Sequence, residues 1–202
     1  LEKSHALPLN QTCTGFPMDV GTEAELNNAI TCFNLETSGF HDINITADID
    51  LTANTTAINN TSGASLFING NFATIDGNLN GRILTIEEGT VTVERLIMQE
   101  GLADNVSCLG GTFDCGGAVY IGANANVALG RSTVRDSSAQ FGGGIYNESS
   151  GTTAIFNSTI SGNSSTIDGA GIYNYEVALD VSNTTISTNS ATFSGSGLFN
   201  ND

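Results

Sequence analysis

The chain has 202 residues, enough for one or two domains. It carries 21 Asp and Glu against 5 Lys and Arg, a formal net charge of −16. That balance argues against nucleic acid and anionic membrane surfaces as partners, because both need clustered Lys and Arg. An apolar content of 39% is enough for a core, and no run of apolar residues is long enough to span a bilayer.

The first residues, "LEKSHALPLNQTC", lack a basic region followed by an apolar stretch, so any signal peptide is expected to have been removed. Residues 22–34 read as a helix. Thr22 and Glu25 form a capping box, and Leu26, Ile30 and Phe33 make one apolar stripe with Cys32 close to it. The expected role is a plug over the end of whatever follows. In "DINITADIDLT" the period changes to two. Ile43, Ile45, Ala47, Ile49 and Leu51 alternate with polar residues, which predicts one half-buried strand. Shorter strands follow in "SLFINGNFATIDG", "RILTIEEG" and "TVTVERLIM", each closed by Gly, Asn or Asp.

From residue 116 one phrase recurs: "GGAVYI", "GGGIYN", "GAGIYN" and "GSGLFN". Its aromatic residues, Tyr120, Tyr146, Tyr173 and Phe199, fall 26–27 residues apart, a period that signals stacked repeats. Three apolar columns keep the same step: Val119, Ile145, Ile172 and Leu198; Leu129, Ile155 and Val181; Val134, Ile160 and Ile186. Three columns mean three strands per turn. The predicted fold is therefore all-β, a parallel β-helix of about six coils spaced ~4.8 Å apart. Residues 1–40 are expected to form an N-terminal cap and residues 41–202 the β-helix. The glycines of the phrase suit a tight corner at positive φ. Ile145 then points inward and Tyr146 outward, and Asn147, Asn174 and Asn200 return inward, where stacked amides form a ladder.

Met98 and Val134 lie 36 residues apart, ten more than the repeat. The excess, including "NVSCLGGTFDC", predicts a loop protruding from the stack, closed near 103–115 by a Cys108–Cys115 disulfide. Four cysteines allow three connectivities. Local pairing, Cys13 with Cys32 and Cys108 with Cys115, is the expectation, and it implies an oxidising, extracellular setting. Ten Asn-x-Ser/Thr sequons occur. Asn10, Asn44, Asn54, Asn105, Asn157 and Asn183 are the glycosylation candidates; Asn59, Asn60, Asn147 and Asn163 also carry the motif.

The helix "TEAELNNAI", the run "ATIDGNLNGRILTIEEGTVTVERLIM" and the repeated "GGGIYN…STISGNS" resemble the secreted parallel β-helix proteins of the polymorphic outer-membrane-protein and CSLREAI-type repeat class. That class shares the pectin-lyase-like architecture, and the likeness covers roughly residues 20–202. An intact CSLREAI motif is missing. The resemblance implies a right-handed parallel β-helix and an adhesive or structural role at a cell surface.

Candidate chemistry is sparse. Lyases of this architecture use a basic side chain, and the chain offers Lys3, Arg82, Arg95, Arg131 and Arg135. Arg131, Arg135 and Asp136 read as a local surface ion-pair group. Asp48, Asp50 and Asp76 are close enough in the predicted coils for a calcium site or an acid–base pair, but read more simply as a solvated acidic edge. His5 and His41 read as surface residues. No catalytic, cofactor-binding or metal-binding residue is assigned, and no cofactor is expected. The Tyr120, Tyr146, Tyr173 and Phe199 column is the candidate interaction surface for sugars or another protein, with cross-coil stacking as the simpler reading. A Thr133, Thr159 and Thr185 column raises ice binding, but Arg135, Ser161 and Ser187 break its regularity. The terminal "GSGLFNND" has no following cap, which predicts either a longer natural chain or an open end that meets another subunit. The expected function is that of a non-enzymatic extracellular structural or adhesive surface protein, self-assembling head to tail into a fibre. Expected partners are other copies, surface proteins or glycans, with no nucleic acid and no membrane insertion. The alternative is a carbohydrate-active β-helix enzyme or carbohydrate-binding module.

Overall fold

A computed structural model describes residues 13, 15–104, 107, 108 and 113–201. Lys3, His5, Asn10 and Asn105 lie outside the described residues. The chain winds into about seven stacked coils rather than six, each about 26 residues long. Every strand pair in the stack is parallel, and the registers superpose the predicted columns. Leu129 lies over Ile155 and Ile155 over Val181; Val134 lies over Ile160 and Ile160 over Ile186; Val119, Ile145, Ile172 and Leu198 are stacked in turn.

Three sheets make the walls. The long one runs from Met18–Val20 through Phe40–Ile45, Ser65–Asn69, Leu84–Glu94 and Val119–Gly130 to Ile145–Asn147, Ile172–Tyr175 and Leu198–Asn201. A second has six strands, from Ile49–Asp50 to Thr185–Ser187, and a third has three, Ser138–Phe141, Ser164–Asp168 and Ser190–Ala191. The inward side chains form one apolar core along the axis, including Ile43, Ile68, Ile86, Val91, Met98, Leu129, Val134 and Ile160. No coil can bury its apolar face alone, so each depends on its neighbours.

The corners are held by polar side chains that bond from coil to coil. Asn147 Nδ2 donates to Asn174 Oδ1, and Asn174 Nδ2 to Asn200 Oδ1, both at 2.7 Å. At a second corner Ser137 N donates to Asn163 Oδ1 and Asn163 N to Asn189 Oδ1, at 3.0 and 2.9 Å. At a third, Leu96 N meets Ser132 Oγ and Ser132 N meets Ser158 Oγ, both at 3.2 Å. These ladders satisfy groups that the corners take out of the sheets. The recurring glycine phrase has a matching cause. Gly142 sits at φ +63°, and a Cβ on Gly143 would lie 2.0 Å from the carbonyl oxygen of Ser164.

The helix spans Glu23–Phe33, between Met18–Val20 and Phe40–Ile45 in the chain, and packs its apolar face into the main core. Thr22 Oγ1 accepts from Glu25 N at 3.3 Å, and the Glu25 carboxylate accepts from Gly21 N at 2.9 Å. Leu26, Ala29, Ile30 and Phe33 are fully buried in the main core. Cys13 is bonded to Cys32, fastening the segment ahead of the helix. The β-structure begins before the helix, because Met18–Val20 pairs in register with Phe40–Ile45.

Two expectations need correction. The alternating run 42–52 is not one strand. It breaks into Phe40–Ile45 and Ile49–Asp50, which belong to different sheets, and Ala47 is exposed at the corner between them. Thr46 takes over there, its N–H and hydroxyl both donating to the Val20 carbonyl at 2.8 and 3.0 Å. The ten-residue insertion does not simply protrude. Ser107–Cys108 and Phe113–Asp114 pair as an antiparallel arm, and Cys115, bonded to Cys108, is fully buried and bridges to Phe141.

Candidate functional site

The aromatic column points away from the axial core, as the alternation predicts, but it is not an open surface. Tyr120, Tyr146, Tyr173 and Phe199 stack with centroid spacings of 5.8, 5.3 and 5.1 Å. With Cys108, Cys115 and Phe141 they form a second apolar cluster. Phe141 meets Tyr173 edge-on at 5.0 Å. Tyr146 is fully buried and Tyr173 nearly so, while Tyr120 and Phe199 are half-buried. The disulfide arm and Phe141 pack over the centre of the column, at Tyr146 and Tyr173, while Tyr120 and Phe199 stay partly exposed.

The phenols have their own acceptor. Tyr120 Oη donates to Glu148 Oε1 at 2.5 Å and Tyr146 Oη to Glu148 Oε2 at 3.3 Å. Burial, and then the Glu148 charge and these hydrogen bonds, push both phenols well above the usual tyrosine range.

Arg82 lies at the foot of this column. In sequence it is one isolated cation in "NGRILTIEEG", with nothing beyond its charge to mark it. The structure buries it, with 4% of its surface exposed. Its Nε donates to the Gly116 carbonyl at 2.9 Å, one Nη to the Cys115 carbonyl, and the other to Thr85 Oγ1 at 3.3 Å. The guanidinium lies over the Tyr120 ring, 4.9 Å from its centroid. Burial lowers it to about 10, although the Tyr120, Asp114 and Glu87 charges act the other way. Among the described residues Arg82 makes no ion pair. Beside it opens a cleft of about 440 Å³ lined by Asn54, Thr55, Thr85, Glu87, Tyr120, Gly122 and Ala123. The cleft exists because Val119–Gly130 carries one extra residue between Ile121 and Asn124 relative to the strand below it.

The other candidates are dispersed. Asp76 does lie over Asp50, one coil on, as expected. Its carboxylate, however, accepts from Asn78 N at 2.8 Å and from Gln99 Nε2 at 2.5 Å, and Asp48 Oδ1 accepts from Thr74 N at 2.7 Å. Gln99 Oε1 accepts in turn from Arg135. Arg135 pairs with Asp136 at 3.0 Å, whereas Arg131 pairs with Glu94 at 2.6 Å, so the two arginines serve different partners. Thr133 and Thr159 stack in register with Thr185, but Ile97 interrupts the column below them. His41 is not a surface residue. It is half-buried, 4.7 Å from the Phe16 ring, with Nε2 2.9 Å from the Ser38 carbonyl. Among the sequons, Asn54, Asn157 and Asn183 are exposed and the Asn44 amide donates to Asp19 at 2.9 Å. Asn60, Asn147 and Asn163 are buried.

No family model, curated protein or solved structure matches the chain. Among the described residues no helix is long and apolar enough to cross a membrane.

Proposed function

We propose that this chain is an extracellular structural or adhesive surface protein whose work is rigid display, with association between copies as a further property. The observation that carries this reading is the commitment of polar side chains to bonds between coils. On the outer face Asn44 donates to Asp19, Asn69 to Asn44 and Arg95 to Asn69, one coil after another. Asp76, Gln99 and Arg135 form a second chain of this kind. Such ladders stiffen a rod and engage the Asp19 and Asp76 carboxylates. The two disulfides fit an oxidising compartment. With the helix as the N-terminal cap, a fibre built head to tail would pack the incoming copy on that helix. The likeness to surface β-helix repeat proteins supports the same role.

The test pairs a cleavage assay with microscopy. Neutral and acidic polysaccharides incubated with the protein should release no new reducing ends, and the purified protein should bind intact cell surfaces or form fibres visible in negative stain as its concentration rises. Sugar cleavage that disappears in Asp76→Asn would overturn the reading in favour of an enzyme. A protein that stays monomeric and binds no surface would overturn it as well.

A further inference from the structure

Arg82 is a buried guanidinium with no carboxylate in direct contact among the described residues, although the Asp114 and Glu87 charges act on it from farther off. Removing a charge from water is costly unless the charge is paired and fully hydrogen-bonded. Arg82 has five N–H donors, and three of them meet the Gly116 and Cys115 carbonyls and Thr85. Carbonyl and hydroxyl partners supply dipoles but no negative charge. The side chain lines the cleft beside Tyr120, where a bound acceptor would come within reach of it. That place is rimmed by groups that suit hydroxyls: the Asn54 and Thr85 side chains, and the exposed Glu87 carboxylate, which already accepts from Asn59 Nδ2 at 2.9 Å.

We propose that this cleft binds a small hydroxylated carboxylate, its carboxylate oxygens meeting the remaining N–H groups of Arg82 and its hydroxyls meeting Asn54, Thr85 and Glu87. Planar two-point recognition of carboxylate is what a guanidinium does best. The cleft is within the size range of small-ligand sites. Glu87 sets the selectivity. It accepts hydroxyl protons and repels a second negative charge, so a monoanion is preferred to a polyanion. This inference stands on Arg82 and its cleft alone, and its failure would leave the display reading untouched.

The chain has four arginines, Arg82, Arg95, Arg131 and Arg135, so nuclear magnetic resonance of the arginine Nε–H groups can follow one of them. The folded protein at low salt is titrated separately with sodium glucuronate, sodium lactate and glucose. The signal that Arg82→Lys removes should shift saturably with glucuronate, more weakly with lactate and not with glucose. Glu87→Gln changes an exposed side chain and keeps the fold if Arg82→Lys does not. It should tighten glucuronate binding about threefold by removing one nearby like charge. Equal affinity for lactate and glucuronate would overturn the role given to the hydroxyls. A response to glucose, no saturation with either acid, or an unchanged affinity in Glu87→Gln would overturn the site.

Discussion

Asn174 shows how much of this fold rests on single side chains. It is buried, and its amide joins three things: it accepts from Asn147, donates to Asn200, and donates to the Val177 carbonyl at 2.6 Å. Replacing it with Ala strands the Asn147 amide N–H in the interior and frees the Val177 carbonyl. Net loss of one hydrogen bond costs about 1 kcal/mol, and leaving a buried polar group unpaired costs about 1–3 kcal/mol. Asn174→Ala should therefore lower the unfolding free energy by about 2–3 kcal/mol, read from the midpoint of urea denaturation. Thr166→Ala, at an exposed strand position, should stay within about 0.5 kcal/mol of the parent. Asn147, Asn174 and Asn200 were legible as a ladder because identical residues recur at the coil spacing. Arg82 was not legible as a site because it occurs once, and its partners are backbone carbonyls of residues 33 and 34 positions away.

The arm at Ser107–Cys108 and Phe113–Asp114 is the element that changes the reading of the surface. The break in spacing between Met98 and Val134 announced an insertion, and the cysteine pair announced its closure. Neither said where the arm would lie. Strand alternation sends Tyr146 outward, but outward in a solenoid means away from the axis, and a second layer can still cover it. Here Cys108, Cys115 and Phe141 supply that layer. The same blindness affects the 42–52 run, where alternation continued through a corner that only the stacking of Thr46 on Val20 reveals. The arm leads to a prediction. In the Cys108→Ala, Cys115→Ala double variant the arm loses its covalent closure, and the buried phenol of Tyr146 gains contact with solvent. The exposed tyrosine fraction, measured by solvent-perturbation difference spectroscopy, should rise by about one residue. The β-sheet circular dichroism should stay unchanged, because the coils pair without the arm. An unchanged tyrosine exposure would show that Phe141 alone is enough to cover the column.

At the scale of the whole molecule, coils are joined in a row and each is stable only through its neighbours, so a perturbation along one column acts on the entire stack. The tyrosine column crosses successive coils, and alkaline pH perturbs it. Tyr120 and Tyr146 are held above the ordinary phenol value of 10.0, so above that pH the folded state keeps protons that the unfolded chain has released, and stability falls as pH rises. Tyr173 is shifted the same way by burial and acts in the same direction. Arg82 has the opposite sign. It is lowered to about 10 in the fold from 12.5, so in this window the folded state releases a proton that the unfolded chain keeps, and that contribution raises stability with pH. The three phenols outweigh the one guanidinium, so the net effect above pH 10 is a stability that falls as pH rises. Urea denaturation at pH 9, 10, 11 and 12 should show stability level up to the phenol range and declining beyond it. Tyr146→Phe removes one retained proton, so its decline should be visibly shallower, while its stability at pH 8 drops by about 1 kcal/mol or less for the lost hydrogen bond to Glu148. A decline of equal slope in parent and variant would mean that the column ionises freely, and that its burial under the arm does not control the alkaline limit of the stack.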